Sequence, residues 1–153
     1  MLQFEQKLSE LGHALPSVAP PAGSYLPSIT SGNLIFTAGQ IPLVEGKLAA
    51  TGKVGAEVDL ETAKQLARIC VLNGLAAVKN EIGDLQRIKR IVKLVGFVSS
   101  DPGFIQQPQV INAASDLLAE TFGEIGRHAR SAVGVAVLPL DAPVEIELIV
   151  EFD

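Results

Sequence analysis

The sequence predicts an α+β domain, a mixed β-sheet with two long helices on one face. Three observations carry this reading. Strand and helix signals follow one another as strand, helix, strand, helix, strand, strand. Each of the two long helical stretches has an apolar stripe along one side only. The C-terminal stretch alternates strictly, with Val144, Ile146, Leu148, Val150 and Phe152 on one side and Glu145, Glu147 and Glu151 on the other, the period of a strand with one buried face.

The elements follow in order. Leu2, Phe4, Leu8, Leu11 and Leu15 form a rough helical stripe that Gly12 interrupts. Leu15 to Pro27 holds four prolines and reads as an extended connection, so residues 1–22 are expected to be an N-terminal extension of helix plus Pro-rich linker within a single domain over 1–153. Two short strands, Leu26–Thr30 and Leu34–Ala38, are joined by Ser31-Gly32-Asn33, where Gly and Asn tolerate the positive φ of a tight hairpin. Glu45 to Gly55 reads as a loop with one weak strand. Asp59 is placed to cap a helix from Leu60 to about Ile82, with Gly83 as its stop. Ala63, Leu66, Ala67, Cys70, Val71, Gly74, Val78 and Ile82 form its inner stripe.

Ile88 to Val98 is β-branched and, in its second half, apolar on both faces, as in a central covered strand. Pro108 suits the first turn of a second helix, with Val110, Ala113, Ala114, Leu117, Leu118 and Phe122 facing inward. Two terminal strands follow. In the first, Val133, Val135 and Val137 oppose Ala132, Gly134 and Ala136. With both helices on one face, the apolar share of the other, Val95 and Phe97 included, calls for a second subunit.

Composition narrows the function classes. At 153 residues the chain can bury a substantial core, and 48% hydrophobic against 19% charged residues leaves little polar coat, which favours an oligomer. A net charge of -5, with cationic runs only at Arg87–Lys93 and Arg127–Arg130, argues against nucleic acid as main partner. The single cysteine, Cys70, cannot form an internal disulfide and fits a reducing compartment. Met1 to Glu10 lacks the apolar core of a signal peptide, and no apolar run reaches the ~18 residues of a membrane span. A soluble, cytoplasmic protein is the expectation. Two histidines and one cysteine give no metal-ligand spacing, and no Gly-rich phosphate loop is present.

Arg130 is the sharpest candidate for chemistry, because a guanidinium takes a carboxylate bidentately and keeps its charge. Taken alone it is equally a surface arginine at a strand start. Glu145 could activate a water as general base, and Glu145, Glu147 and Glu151 are equally a solvated sheet face. His128, between two arginines, suits a proton shuttle, an anion site or a structural role. His13 receives no role, and Cys70, mid-stripe on a helix, reads as inert core.

Only Pro139 to Pro143 join the last two strands, so they should be antiparallel, as neighbours or with one strand between them. Arg130 and Glu145 then stand about seven residues apart along the strand axis, roughly 23 Å at ~3.3 Å per residue. If both act on one small substrate, they belong to different subunits.

Gly32-Asn33-Leu34-Ile35-Phe36-Thr37-Ala38-Gly39-Gln40-Ile41-Pro42, Val110-Ile111-Asn112, Ala129-Arg130-Ser131, and Leu138-Pro139 followed by Val144-Glu145-Ile146-Glu147 together resemble the RidA/YjgF family, the reactive intermediate deaminases, also known as L-PSP-type endoribonuclease-like proteins. The resemblance covers Gly23 to Val150. It implies a chorismate-mutase-like α+β subunit (Bacillus type) in a homotrimer with three intersubunit clefts. It further implies, in the deaminase branch, hydrolysis of 2-imino or enamine acids to 2-keto acids and ammonia with no cofactor. Arg130 matches the family's carboxylate anchor and Glu145 its water-positioning glutamate, while Tyr25, Gly39 and Asn112 match other cleft positions. Ala38 stands where that branch has a serine, and Ala132 where it has a cysteine, so the cleft should be more apolar. The N-terminal extension and Gly123-Glu124-Ile125-Gly126-Arg127-His128 resemble a longer branch of the family. Two other functions stay open: a non-catalytic trimer binding a small carboxylate, and a ribonuclease, against which the acidic charge counts.

Overall fold

The computed structural model describes residues 3–153, so Leu2 of the N-terminal stripe lies outside the described residues. The fold is the α+β arrangement predicted. Helix α1, Gln3–Glu10, ends earlier than the stripe to Leu15 suggested, because Gly12 at φ 86° turns the chain. It is anchored by fully buried Leu8 and by the Phe4 ring, whose centroid lies 4.6 Å from that of Phe122.

Strands β1 (Ser28–Ser31) and β2 (Leu34–Thr37) form the expected hairpin around Gly32, at φ 61°. The weak strand expected within 45–55 is instead a separate two-stranded hairpin, β3 (Leu43–Val44) with β4 (Lys47–Leu48). Its turn is made by Glu45 at φ 51° and Gly46 at φ 81°, at the start of the stretch expected to be a loop.

Helix α2 spans Leu60–Ile82. The Asp59 carboxylate accepts from the Thr62 amide at 2.8 Å, and Gly83 closes the helix in the left-handed region. Strand β5 (Ile88–Ser99) follows, then α3 (Gln107–Phe122) with Pro108 in its first turn, β6 (Ala129–Val135) and β7 (Val144–Phe152).

The main sheet has the order β1-β2-β7-β5-β6. β5 and β6 are parallel, while β7 is antiparallel to both β2 and β5. Helices α2 and α3 both cover one face, as predicted. Ile91, Leu94 and Val98 of β5 and Val144, Ile146, Leu148 and Val150 of β7 are buried against the helical stripes. Two glycines let these layers close: a Cβ on Gly96 of β5 would meet Ile111 Cδ1 at 2.5 Å, and one on Gly74 of α2 would meet Leu148 Cδ1 at 3.1 Å.

Among the described residues no helix covers the opposite face. Val133 in register with Phe97 and Glu145, Ser131 with Val95 and Glu147, and Phe36 with Ile149 form rows across it. Ile29, Phe36 and Val133 there are 58%, 37% and 44% exposed, an apolar share a lone domain seldom leaves to water. Register irregularities in β5, between Ile88 and Arg90 and between Ile91 and Lys93, shift which residues reach the core.

Candidate functional site

The candidate residues fall into two groups on opposite faces of the sheet. The first lies where the edge strand β6 meets α3. Arg130 is in register with the buried Leu94, so its side chain leaves the sheet on the helix side. There its Nη1 donates to Asn112 Oδ1 at 2.7 Å and to Ser115 Oγ at 3.2 Å. Both acceptors are neutral. Among the described residues no ion pair involves Arg130, so its charge is oriented without being cancelled.

His128 lies beside it, with Nε2 3.0 Å from Ser115 Oγ and Nδ1 2.8 Å from the Gly126 carbonyl oxygen. Burial pushes the imidazole pKa down, the Gly126 carbonyl pulls it up, and the Arg130 charge lowers it, with a net fall. Ser115, Asp116, Ala119, Arg127, His128 and Arg130 line an open recess. Ala132, two residues along β6, is partly buried against the core beneath this group.

The second group sits on the helix-free face near β1, β2 and β7. Glu145 is in register with Phe97 and projects to that face. Chain from β2 turns over it: Gln40 and Ile146 exchange two backbone hydrogen bonds, at 2.8 and 3.0 Å. Gly39 is thereby pressed so close that a Cβ there would stand 2.8 Å from Glu145 Cδ. Burial, and secondarily the charge of Glu147, raise the Glu145 pKa above the ordinary carboxylate value. Tyr25, half exposed, lines a neighbouring recess with Leu26, Ile29, Phe36 and Ala38. Its hydroxyl oxygen accepts from the Ala22 amide at 3.3 Å.

The axial separation of Arg130 and Glu145 is not the roughly 23 Å inferred from sequence. Leu94, opposite Arg130, and Phe97, opposite Glu145, are three residues apart on the intervening β5, about 10 Å at ~3.3 Å per residue. The difference arises because β6 ends at Val135, so that Ala136, Val137 and Leu138, read as strand from the sequence, belong to the connection that crosses to β7. One strand does separate the pair, as one of the two predicted arrangements required. Within one chain the two side chains still cannot meet, because the sheet lies between them.

Ser115 was missed in the sequence. Its signal was its i, i+3 spacing from Asn112, which puts both on one face of α3. Cys70 is fully buried, its Sγ 3.6 Å from the Val144 carbonyl, and burial and then the Glu145 charge raise its pKa well above the usual value. Among the described residues no cluster of three or more His, Cys, Asp or Glu side chains could hold a metal, and no helix is long and apolar enough to cross a membrane.

The family model described as "YjgF/chorismate mutase-like, putative endoribonuclease" matches residues 5–152. Protein TCP17 of Trypanosoma cruzi is 43% identical over 147 residues, covering 95% of this chain and 92% of that protein. The 2-iminobutanoate/2-iminopropanoate deaminase of Escherichia coli (strain K12) is 36% identical over 132 residues, 86% of this chain and 90% of the enzyme. The crystal structure of Atu1372, a protein of unknown function from Agrobacterium tumefaciens, matches with a TM-score of 0.92 at 50% identity, covering 98% of this chain and 92% of that one.

Proposed function

Since the chain belongs to the YjgF/RidA family, we propose that it hydrolyses small 2-imino or enamine acids to 2-keto acids and ammonia, in clefts between the subunits of a homotrimer. The observation that carries this reading is the Arg130 guanidinium, held by Asn112 and Ser115 and matched to no carboxylate of its own among the described residues. A side chain so placed is set to receive an organic carboxylate.

The chemistry needs little more. With the substrate carboxylate on Arg130, the imine carbon is fixed near one place where a water can be held. Glu145 of a neighbouring copy takes a proton from that water as its oxygen bonds to the imine carbon, and the proton passes to nitrogen. The carbinolamine hydroxyl then gives its proton, by way of Glu145, to the nitrogen as the carbon–nitrogen bond breaks, releasing ammonia and leaving the 2-keto acid. A raised Glu145 pKa suits a group that both accepts and returns a proton. Ala38 and Ala132 leave the cleft walls apolar, which favours substrates with hydrocarbon side chains. The thiol of Cys70, buried and unpaired, is consistent with a cytoplasmic setting.

The test is direct. Purified protein should hydrolyse 2-imino acids generated in situ by an amino-acid oxidase, and Arg130→Ala should lower kcat/KM by about 100-fold or more. Absence of any rate above background in the wild type would end the proposal for those substrates. Ligand-induced stabilisation without turnover would favour instead a regulatory trimer that binds the same carboxylates. A ribonuclease is the weaker reading, since the net charge is -5 and the recess of Arg127 and Arg130 carries, among the described residues, no Phe, Tyr or Trp side chain on which a base could stack.

A further inference from the structure

The segment entering β6 holds a line of hydrogen bonds that ends on the anchor. The Gly126 carbonyl can only accept, so His128 Nδ1, 2.8 Å away, carries a proton. In the neutral ring Nε2 is then an acceptor, and its neighbour at 3.0 Å is Ser115 Oγ. The Ser115 hydroxyl must therefore spend its proton on His128, which leaves its lone pairs turned toward Arg130 Nη1 at 3.2 Å. Donation runs one way from Arg130 to Ser115 and from Ser115 to His128, whose other nitrogen is pinned to Gly126. Asn112 Oδ1, at 2.7 Å, holds the same Nη1 from one helical turn away.

We propose that His128, acting through Ser115, is a positioning residue that keeps Arg130 aimed at a carboxylate only while its ring is neutral. This rests on the reading of Arg130 as the carboxylate anchor. Protonation would turn Nε2 into a donor. Ser115 Oγ would then receive hydrogen bonds from two cations at once, its own proton would have to leave the line, and the guanidinium would be pushed off its seat.

The charged groups facing the ring are Arg130 from β6, Asp116 from α3, and Arg127 on the preceding turn, itself 3.7 Å from Glu124. Lys93 of β5, in register with Ala129, projects instead to the helix-free face beside Val95 and Glu147. Burial and the Arg130 charge outweigh the Gly126 carbonyl and hold the ring neutral to lower pH than an ordinary histidine. The switch would therefore operate on the acid side of neutrality.

The experiment is binding of 2-oxobutanoate to the full chain by calorimetry between about pH 5 and pH 8, the range in which histidine titrates. In the wild type the affinity should fall about 10-fold as the ring protonates, the loss expected when a charged group's hydrogen bond is broken. His128→Gln, whose amide can accept from Ser115 and donate to Gly126 without titrating, should keep the neutral-pH affinity and lose the pH response. Ser115→Ala should bind about 10-fold more weakly at every pH. Nitrogen-15 spectra of the ring should show the Nδ1–H tautomer at neutral pH. Affinity that strengthens on acidification, a pH profile unchanged in His128→Gln, or an Nε2–H ring would each overturn the proposal. Failure of the wild type to bind the keto acid at any pH would instead strike the anchor reading itself.

Discussion

Arg130 and Glu145 project from opposite faces of one sheet, Arg130 in register with Leu94 and Glu145 with Phe97. Every other candidate follows one of the two. Asn112, Ser115, His128 and Ala132 gather with Arg130 on the helix side, and Tyr25, Ala38 and Gly39 with Glu145 on the bare side. Two half-sites that one chain cannot join become a whole site if an edge strand of one copy is brought against the bare face of another.

That arrangement makes a complementation experiment decisive. Arg130→Ala and Glu145→Gln should each be inactive as purified proteins. Refolded together in equal amounts, they should regain about a quarter of wild-type activity, because a cyclic trimer drawn at random pairs an intact Arg130 with an intact Glu145 in that share of its clefts. No recovery in mixed trimers verified by mass spectrometry would mean that the two residues serve separate sites.

Glu145 also carries a pH prediction. Its pKa is raised, chiefly by burial and then by Glu147. The acid limb of kcat/KM should lie above the ordinary glutamate value of about 4.3, and Glu147→Gln should move it down. For stability, a group whose folded pKa is raised helps the fold below its unfolded pKa, and that help is lost as pH rises through the folded pKa. Thermal melts should therefore show Glu145→Gln more stable than wild type at neutral pH and equal to it below about pH 4. An equal Tm at neutral pH would show that the carboxylate is not disfavoured in the fold.

Gly39 tests how tightly that carboxylate is held. A methyl group there would stand 2.8 Å from Glu145 Cδ and 3.1 Å from Cγ, so Gly39→Ala must move the side chain. Displacing a catalytic group by about 1 Å costs on the order of 100-fold in rate, and kcat should fall by that order with the circular dichroism spectrum unchanged. An unchanged kcat would remove Glu145 from the chemistry.

Much of this could be read in the sequence because the physics involved is local. Asp59 and Gly83 end α2 through their own caps, and Val144 to Phe152 sorts its faces by alternation alone. What could not be read depends on partners distant in sequence. The β5 irregularities near Arg90 and Lys93 have no residue signature, because an extra residue in a ladder is defined by the strand opposite. The axial distance between Arg130 and Glu145 is shorter than the sequence suggests because Ala136 to Leu138 leave the ladder, and apolar residues carry no signal of that; beyond them Leu140 and Asp141 both take φ 60° although neither is a glycine. Ser115 stayed hidden because a helical serine says nothing until His128 and Arg130 are seen around it.

The placement of Arg130 depends finally on Gly126. A Cβ at this position would lie 2.3 Å from the Leu118 carbonyl oxygen and 2.9 Å from its carbon, backbone atoms of α3 that cannot rotate aside. The same residue supplies the carbonyl that holds His128 Nδ1. Gly126→Ala must therefore part the turn from the helix, at a cost of about 3 kcal/mol by the scale of overpacked cores, and shift His128 and Arg130 together. Urea unfolding should show that loss, and 2-keto acid binding should weaken in the fraction that remains folded. Alanine accepted with full stability and full binding would mean that the α3–β6 junction yields easily, and that Arg130 is placed by Asn112 alone.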